Sequence, residues 1–170
     1  MRKAGFWAVY ALLLIAQLLF SNYCVFTPYV MLSILPVMVL CIPLRVGTTG
    51  AMLIAFATGL AVDLLAEGIT GLNALALVPV ALLRKPVIGL ILGHDLFARG
   101  EDFSIRKNGF MQIMLALLLV QALFLAIYVW ADAAGTRPLW FNAVRWGASM
   151  AAGILVSIPA LEVMAQDTRK

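Results

Sequence analysis

This sequence predicts an all-α fold, a polytopic bundle of six transmembrane helices, and three observations carry that reading. Of 170 residues, 64% are apolar and only 12% charged, against about half and about a quarter in an average soluble domain. A soluble fold of this size has too much surface to hide so much apolar material. The apolar residues also come in long runs without the inside–outside alternation of a membrane barrel. Finally, the basic residues fall in the gaps between the runs rather than along a stripe, which excludes a nucleic-acid-binding face in spite of a net charge of +4.

The first run covers residues 4–21 and follows Arg2 and Lys3 in the manner of a secretion signal. It continues into Ser21-Asn22-Tyr23-Cys24 rather than a small-x-small cleavage site, so it is expected to be a retained span. The other runs cover residues 28–44, 47–65, 71–92, 110–131 and 140–161. A hydrocarbon core of roughly 30 Å needs about 20 helical residues, which the last two runs supply and the shorter ones approach with their flanks. The chain reads as a single transmembrane domain, 1–170. With a cytoplasmic amino terminus, Arg2, Lys3, Arg45, Arg84, Lys85, Arg99, Arg106, Lys107, Arg169 and Lys170 all fall on the inner side. Only Arg137 and Arg145 fall outside, so both termini are expected in the cytoplasm. The stretch 94–109, with Asp95, Glu101 and Asp102 among its basic residues, reads as a solvated connector.

Chemistry-bearing residues are sparse. Cys24 and Cys41 lie at opposite ends of one run, roughly 25 Å apart on a helix, too far for a disulfide. His94 is the single histidine and has no metal-ligand or nucleophile spacing around it. Asp63 is the one acid within a span, which does not make a proton relay. Gln121 reads as an interhelical hydrogen-bonding residue, and Pro36, Pro79 and Pro159 as packing kinks. No catalytic role, metal or cofactor is expected.

The most informative stretch runs from Gly59 through Asp63 and Gly68 to Gly71-Leu72-Asn73-Ala74-Leu75. A carboxylate in the last turn of a helix opposes the macrodipole and is costly to desolvate, so Asp63 needs compensation. The sequence offers two sources. Stepping by four gives a small-residue ridge Gly47, Ala51, Ala55, Gly59, Asp63 on the third helix, and Arg145, Ser149, Gly153, Ser157 on the antiparallel sixth. Packing of these ridges would pair Asp63 with Arg145. Alternatively Asp63 bonds to the following turn or to Asn73, while Arg145 snorkels to the headgroups.

The positions Gly59, Asp63, Gly71, Leu72, Asn73 and Ala74 resemble the motif of MreD, the rod shape-determining membrane-protein family. Length, six runs and the basic connector after the fourth, including Leu83-Arg84-Lys85-Pro86 and Ser104-Ile105-Arg106, extend the likeness over the whole chain. The resemblance implies a fold similar to that of the S components of vitamin transporters. It also implies a non-catalytic scaffold of the cell-elongation machinery in the bacterial inner membrane. The implied partners are MreC and, indirectly, MreB, RodA and its penicillin-binding transpeptidase, with membrane lipid around them and a homodimer left open.

The alternative is an S component itself, the substrate-binding subunit of an energy-coupling-factor vitamin transporter. Ala4 and Ala8 have the small-residue spacing such subunits use to dock, and a pocket would gather Asn22, Tyr23, Tyr29, Asn73, Trp130, Trp140 and Asn142. Tryptophan and tyrosine favour the membrane interface in any case, so these residues are assigned to an aromatic belt.

Overall fold

A computed structural model describes residues 2–23, 30–67, 71–93 and 109–167. The described elements are helical: α1 (Arg2–Tyr23), α2 (Leu35–Leu40), α3 (Thr48–Val62), α4 (Leu72–Leu92), α5 (Phe110–Ala133) and α6 (Leu139–Asp167). α3 widens directly into a π-helical turn, Asp63–Glu67. Five helices are long and apolar enough to cross a membrane: Gly5–Tyr23, Thr48–Ala66, Leu72–Ile91, Met111–Ala133 and Leu139–Met164. Their outward faces carry large apolar side chains such as Leu12, Leu53, Leu90 and Leu155, as lipid contact requires.

The second run departs from the expected helix over 28–44. Among the described residues of that run, only the six of α2 are helical, and residues 31–34 before it are irregular. The physical reason is proline. Pro36 lies in the first turn of α2, where its missing N–H is tolerated but its ring resists any extension of the helix towards the amino end. Pro43 follows the end of α2 and resists its continuation. The result is a short helix whose six residues are all buried and which touches each of the five long helices.

Irregular backbone inside an apolar bundle must find hydrogen-bond partners in the protein. Here neighbouring side chains supply them. Gln17 of α1 accepts from Ile34 N at 2.8 Å through Oε1, and its Nε2 donates to Leu32 O at 3.1 Å. Ser149 Oγ of α6 accepts from Met31 N at 2.9 Å. Gln121 of α5 donates to Ser33 O at 3.4 Å, so it serves the irregular stretch rather than the interhelical bond expected of it. Ser33 Oγ accepts from Leu35 N at 3.4 Å, opening α2. Gln17, Ser33, Gln121 and Ser149 are all fully buried.

The other end of α2 rests on Arg84. Its guanidinium donates from Nη1 to Val39 O at 3.4 Å and from Nη2 to Pro43 O at 3.2 Å. A cation at a helix carboxyl end is favoured by the dipole. Arg84 was expected on the inner surface beside Lys85; it lies instead within α4 and is buried, so it belongs to the core rather than to the charge bias. The helix continues past it to Leu92 with Pro79 and Pro86 inside.

Two further bonds tie the long helices together. Thr58 Oγ1 donates to Ile54 O at 2.7 Å, so Tyr10 of α1 is the donor in its 2.9 Å bond to Thr58 of α3. Trp146 Nε1 of α6 donates to Ala122 O of α5 at 3.2 Å. Cys41 is a free thiol, while Cys24 and the connector with His94 lie outside the described residues.

Replacing Gln17 by Leu strands the Ile34 N–H and the Leu32 carbonyl in an apolar interior. At roughly 1–3 kcal/mol per stranded group, the variant loses about 2–6 kcal/mol of stability. Thermal unfolding in detergent measures it, with lipid-facing Ile15→Ala as a control expected to change the midpoint little.

Candidate functional site: the α3–α4 corner

The corner is built from the end of α3 and the start of α4. The N-cap position of α4 is Gly71, in the left-handed region at φ +102°, a conformation that glycine adopts without strain. Glycine has no side chain with which to cap the helix. The cap comes instead from Asp63 on the preceding helix, eight residues back.

Asp63 is fully buried, and its carboxylate accepts four hydrogen bonds. Oδ2 accepts from Gly71 N at 2.9 Å and Ala74 N at 3.2 Å. Oδ1 accepts from Asn73 N at 3.0 Å and from Asn73 Nδ2 at 2.9 Å. Three of the donors are amides at the amino end of α4, which have no partner within their own helix. The negative charge therefore meets the positive end of α4, which offsets its unfavourable place at the carboxyl end of α3. The desolvation cost of a buried carboxylate is met by charge-assisted bonds rather than by a counter-ion.

Gly59 sets the distance. A Cβ at this position would lie 2.5 Å from Ala74 N, 2.6 Å from Ala74 Cα and 2.8 Å from Asn73 C. These are backbone atoms and cannot swing aside, so only glycine lets α4 approach α3 this closely. One turn later along α3, the same approach puts Asp63 within reach of the amides. Leu72 packs against the core, and Ala74 is buried with Asn73. Gly59, Asp63, Gly71, Leu72, Asn73 and Ala74 thus meet in one corner.

Of the two expected compensations for Asp63, the structure adopts the bond to the turn and to Asn73. Arg145 is not its partner: Arg145 Nη1 pairs with Asp132 Oδ2, which Arg137 Nη1 also approaches at 2.7 Å. The expected ridge-on-ridge packing of α3 on α6 is likewise replaced. Gly59 meets α4, whereas a Cβ at Gly153 would collide with the Gln121 side chain of α5. Ser149 faces the irregular segment and Ser157 is buried. Gly59 and Gly153 thus each serve the helix next to their own in sequence, which a short turn brings alongside.

Of the residues gathered as a candidate pocket, Tyr23, Trp130 and Trp140 are exposed, Asn142 is buried, and Asn73 is committed to Asp63. Asn22 donates to Leu18 O of its own helix, and Tyr29 lies outside the described residues. Sequence reasoning missed Gln17, Arg84 and Asp132. A glutamine inside the first apolar run and an acid five residues before Arg137 were the available signals.

Four donors leave the Asp63 carboxylate no lone pair directed at a substrate, so it serves as a structural anion and not as a base. Among the described residues, no group of three His, Cys, Asp or Glu side chains stands together in a way that could hold a metal ion.

Asp63→Asn replaces one acceptor oxygen by a donor and removes the charge, leaving at least two α4 amides without a good acceptor. A loss of about 2–4 kcal/mol is expected, read as a lower unfolding midpoint in detergent. Gly59→Val, which forces the two backbones apart, is expected to cost more and to reduce the monodisperse yield. An unchanged midpoint for both variants would contradict the corner.

No known protein family, characterised protein or solved structure matches this chain.

Proposed function

We propose that this chain is a non-catalytic scaffold of the rod elongation machinery in the bacterial inner membrane, an MreD-like protein. In this role it binds MreC and, through it, keeps MreB, RodA and the penicillin-binding transpeptidase in a geometry suited to peptidoglycan synthesis along the side wall. The observation that carries the reading is the corner. The six positions on which the MreD resemblance rests meet in one corner, locked by Asp63 and spaced by Gly59. Such a unit fixes the angle between two helices, as a scaffold needs.

In this reading the chain crosses the membrane six times with both termini in the cytoplasm. The segment from Val30 to Val46, with α2 at its middle, makes the second crossing in place of a full helix. Its length and its contacts with all five long helices support that course. Arg84 leaves the count of inner basic residues, and the remaining nine still outweigh Arg137 and Arg145. Asp63 within a span and Asp132 at the end of one are both consumed by structural partners.

Depletion in a rod-shaped host tests the proposal. Cells are expected to become round while peptidoglycan incorporation continues, and the wild-type gene restores rods. Asp63→Asn restores them poorly, and MreC co-purifies with the wild-type protein from native membranes. Normal shape combined with a vitamin requirement would reject the scaffold in favour of the transporter subunit.

A further inference from the structure

At the α5–α6 end of the bundle, two arginines share one acid. Arg137 Nη1 and Arg145 Nη1 both approach the same oxygen, Asp132 Oδ2. One carboxylate cannot neutralise two guanidiniums, so the cluster carries one positive charge in excess. The remaining capacity for donation is large, since each guanidinium has five N–H groups. Arg145 Nε is buried without a partner among the described residues. The side chains of Asp132 and Arg145 are 12% and 14% exposed, whereas that of Arg137 is 40% exposed, so the cluster opens to its surroundings through Arg137.

The dipoles sharpen the imbalance. Asp132 lies in the last turn of α5 and Arg145 in the second turn of α6, each at the end of a helix that disfavours its charge. The positive end of α6 therefore adds to the excess positive charge of the arginines. Arg137 is fixed from below by Phe141, with its guanidinium carbon 5.6 Å from the ring centroid. Trp130 and Trp140, two residues before Asp132 and three after Arg137 in sequence, are 56% and 63% exposed. Exposed tryptophans mark the headgroup layer, where the prevailing anion is a phosphate group.

We infer that Arg137 and Arg145 form a site for a phosphate group, with a phosphodiester of an anionic lipid in the adjoining leaflet as its ligand class. The planar guanidinium of Arg137 suits a two-point contact with phosphate oxygens. Asp132 sets the position of both arginines and competes with the ligand for them. Acyl chains run down past Trp130 and Trp140 while the phosphate neutralises the excess charge. The inference is independent of the scaffold role, because it uses neither the α3–α4 corner nor any partner protein.

The test is native mass spectrometry of the full chain in detergent micelles containing phosphatidylglycerol, with unfolding midpoints measured in parallel. Arg137→Gln is the informative variant, since its exposed side chain makes it the least disruptive member of the cluster. Its apparent affinity for phosphatidylglycerol falls at least fivefold with the midpoint of the lipid-free protein unchanged. Asp132→Asn, where it folds, changes affinity in the opposite direction because the competing carboxylate is gone. A second arm titrates inorganic phosphate. Displacement of the lipid and a raised midpoint assign the site to free phosphate, while lipid retention unaffected by millimolar phosphate assigns it to the headgroup. Lipid retention and phosphate response both within twofold of wild type in Arg137→Gln would overturn the site.

Discussion

Every backbone N–H and C=O in this bundle that leaves helical geometry must find a partner inside the protein, because the lipid offers none. Among the described residues, the irregular stretch before α2, the far end of α2 and the amino end of α4 pose that demand. Each is answered by side chains from elsewhere in the chain. Gln17, Gln121 and Ser149 hold the stretch, Arg84 holds the far end of α2, and Asp63 holds α4. The buried Gln17, Asp63, Arg84, Gln121 and Ser149 are thus assigned by the broken backbone, and apolar residues fill in around them. This inverts the usual order in soluble domains, where burial of apolar surface dominates.

Much of this was legible in the sequence. Composition and run lengths identified the five long helices to within a few residues at most ends. The motif from Gly59 to Ala74 marked the corner, and the electrostatic misfit of Asp63 showed that it needed a partner. Hydropathy was less informative for residues 28–44, because a buried broken segment is as apolar as a spanning helix. The prolines Pro28, Pro36 and Pro43 in that run were the signal to weigh against it. Arg84 was misassigned for a related reason. A basic residue near a run's end looks like a flank, and only three-dimensional packing reveals that it points at the carbonyls of α2. The partner of Arg145 was hidden because Asp132 and Asp63 are chemically equivalent candidates, and the choice between them depends on which helices are adjacent.

The same physics shapes what the molecule offers to its surroundings. Its interior is held by directional bonds between segments distant in sequence, such as Tyr10 to Thr58 and Met31 to Ser149. Such cross-links hold the helices at fixed angles and make the bundle a firm platform. Its exterior is apolar along the helices and basic where Arg137 emerges beside exposed tryptophans.

Site-resolved amide hydrogen exchange of the wild-type protein in micelles tests most directly whether side chains hold the broken backbone. The amides of Met31, Ile34, Asn73 and Ala74 donate to Ser149, Gln17 and Asp63 rather than to backbone carbonyls. They are expected to exchange as slowly as that of Leu77 in the interior of α4, since opening any of them strands a buried group. Exchange at these four amides orders of magnitude faster than at Leu77 would contradict the account, because it would mean that the segment and the corner are open to water.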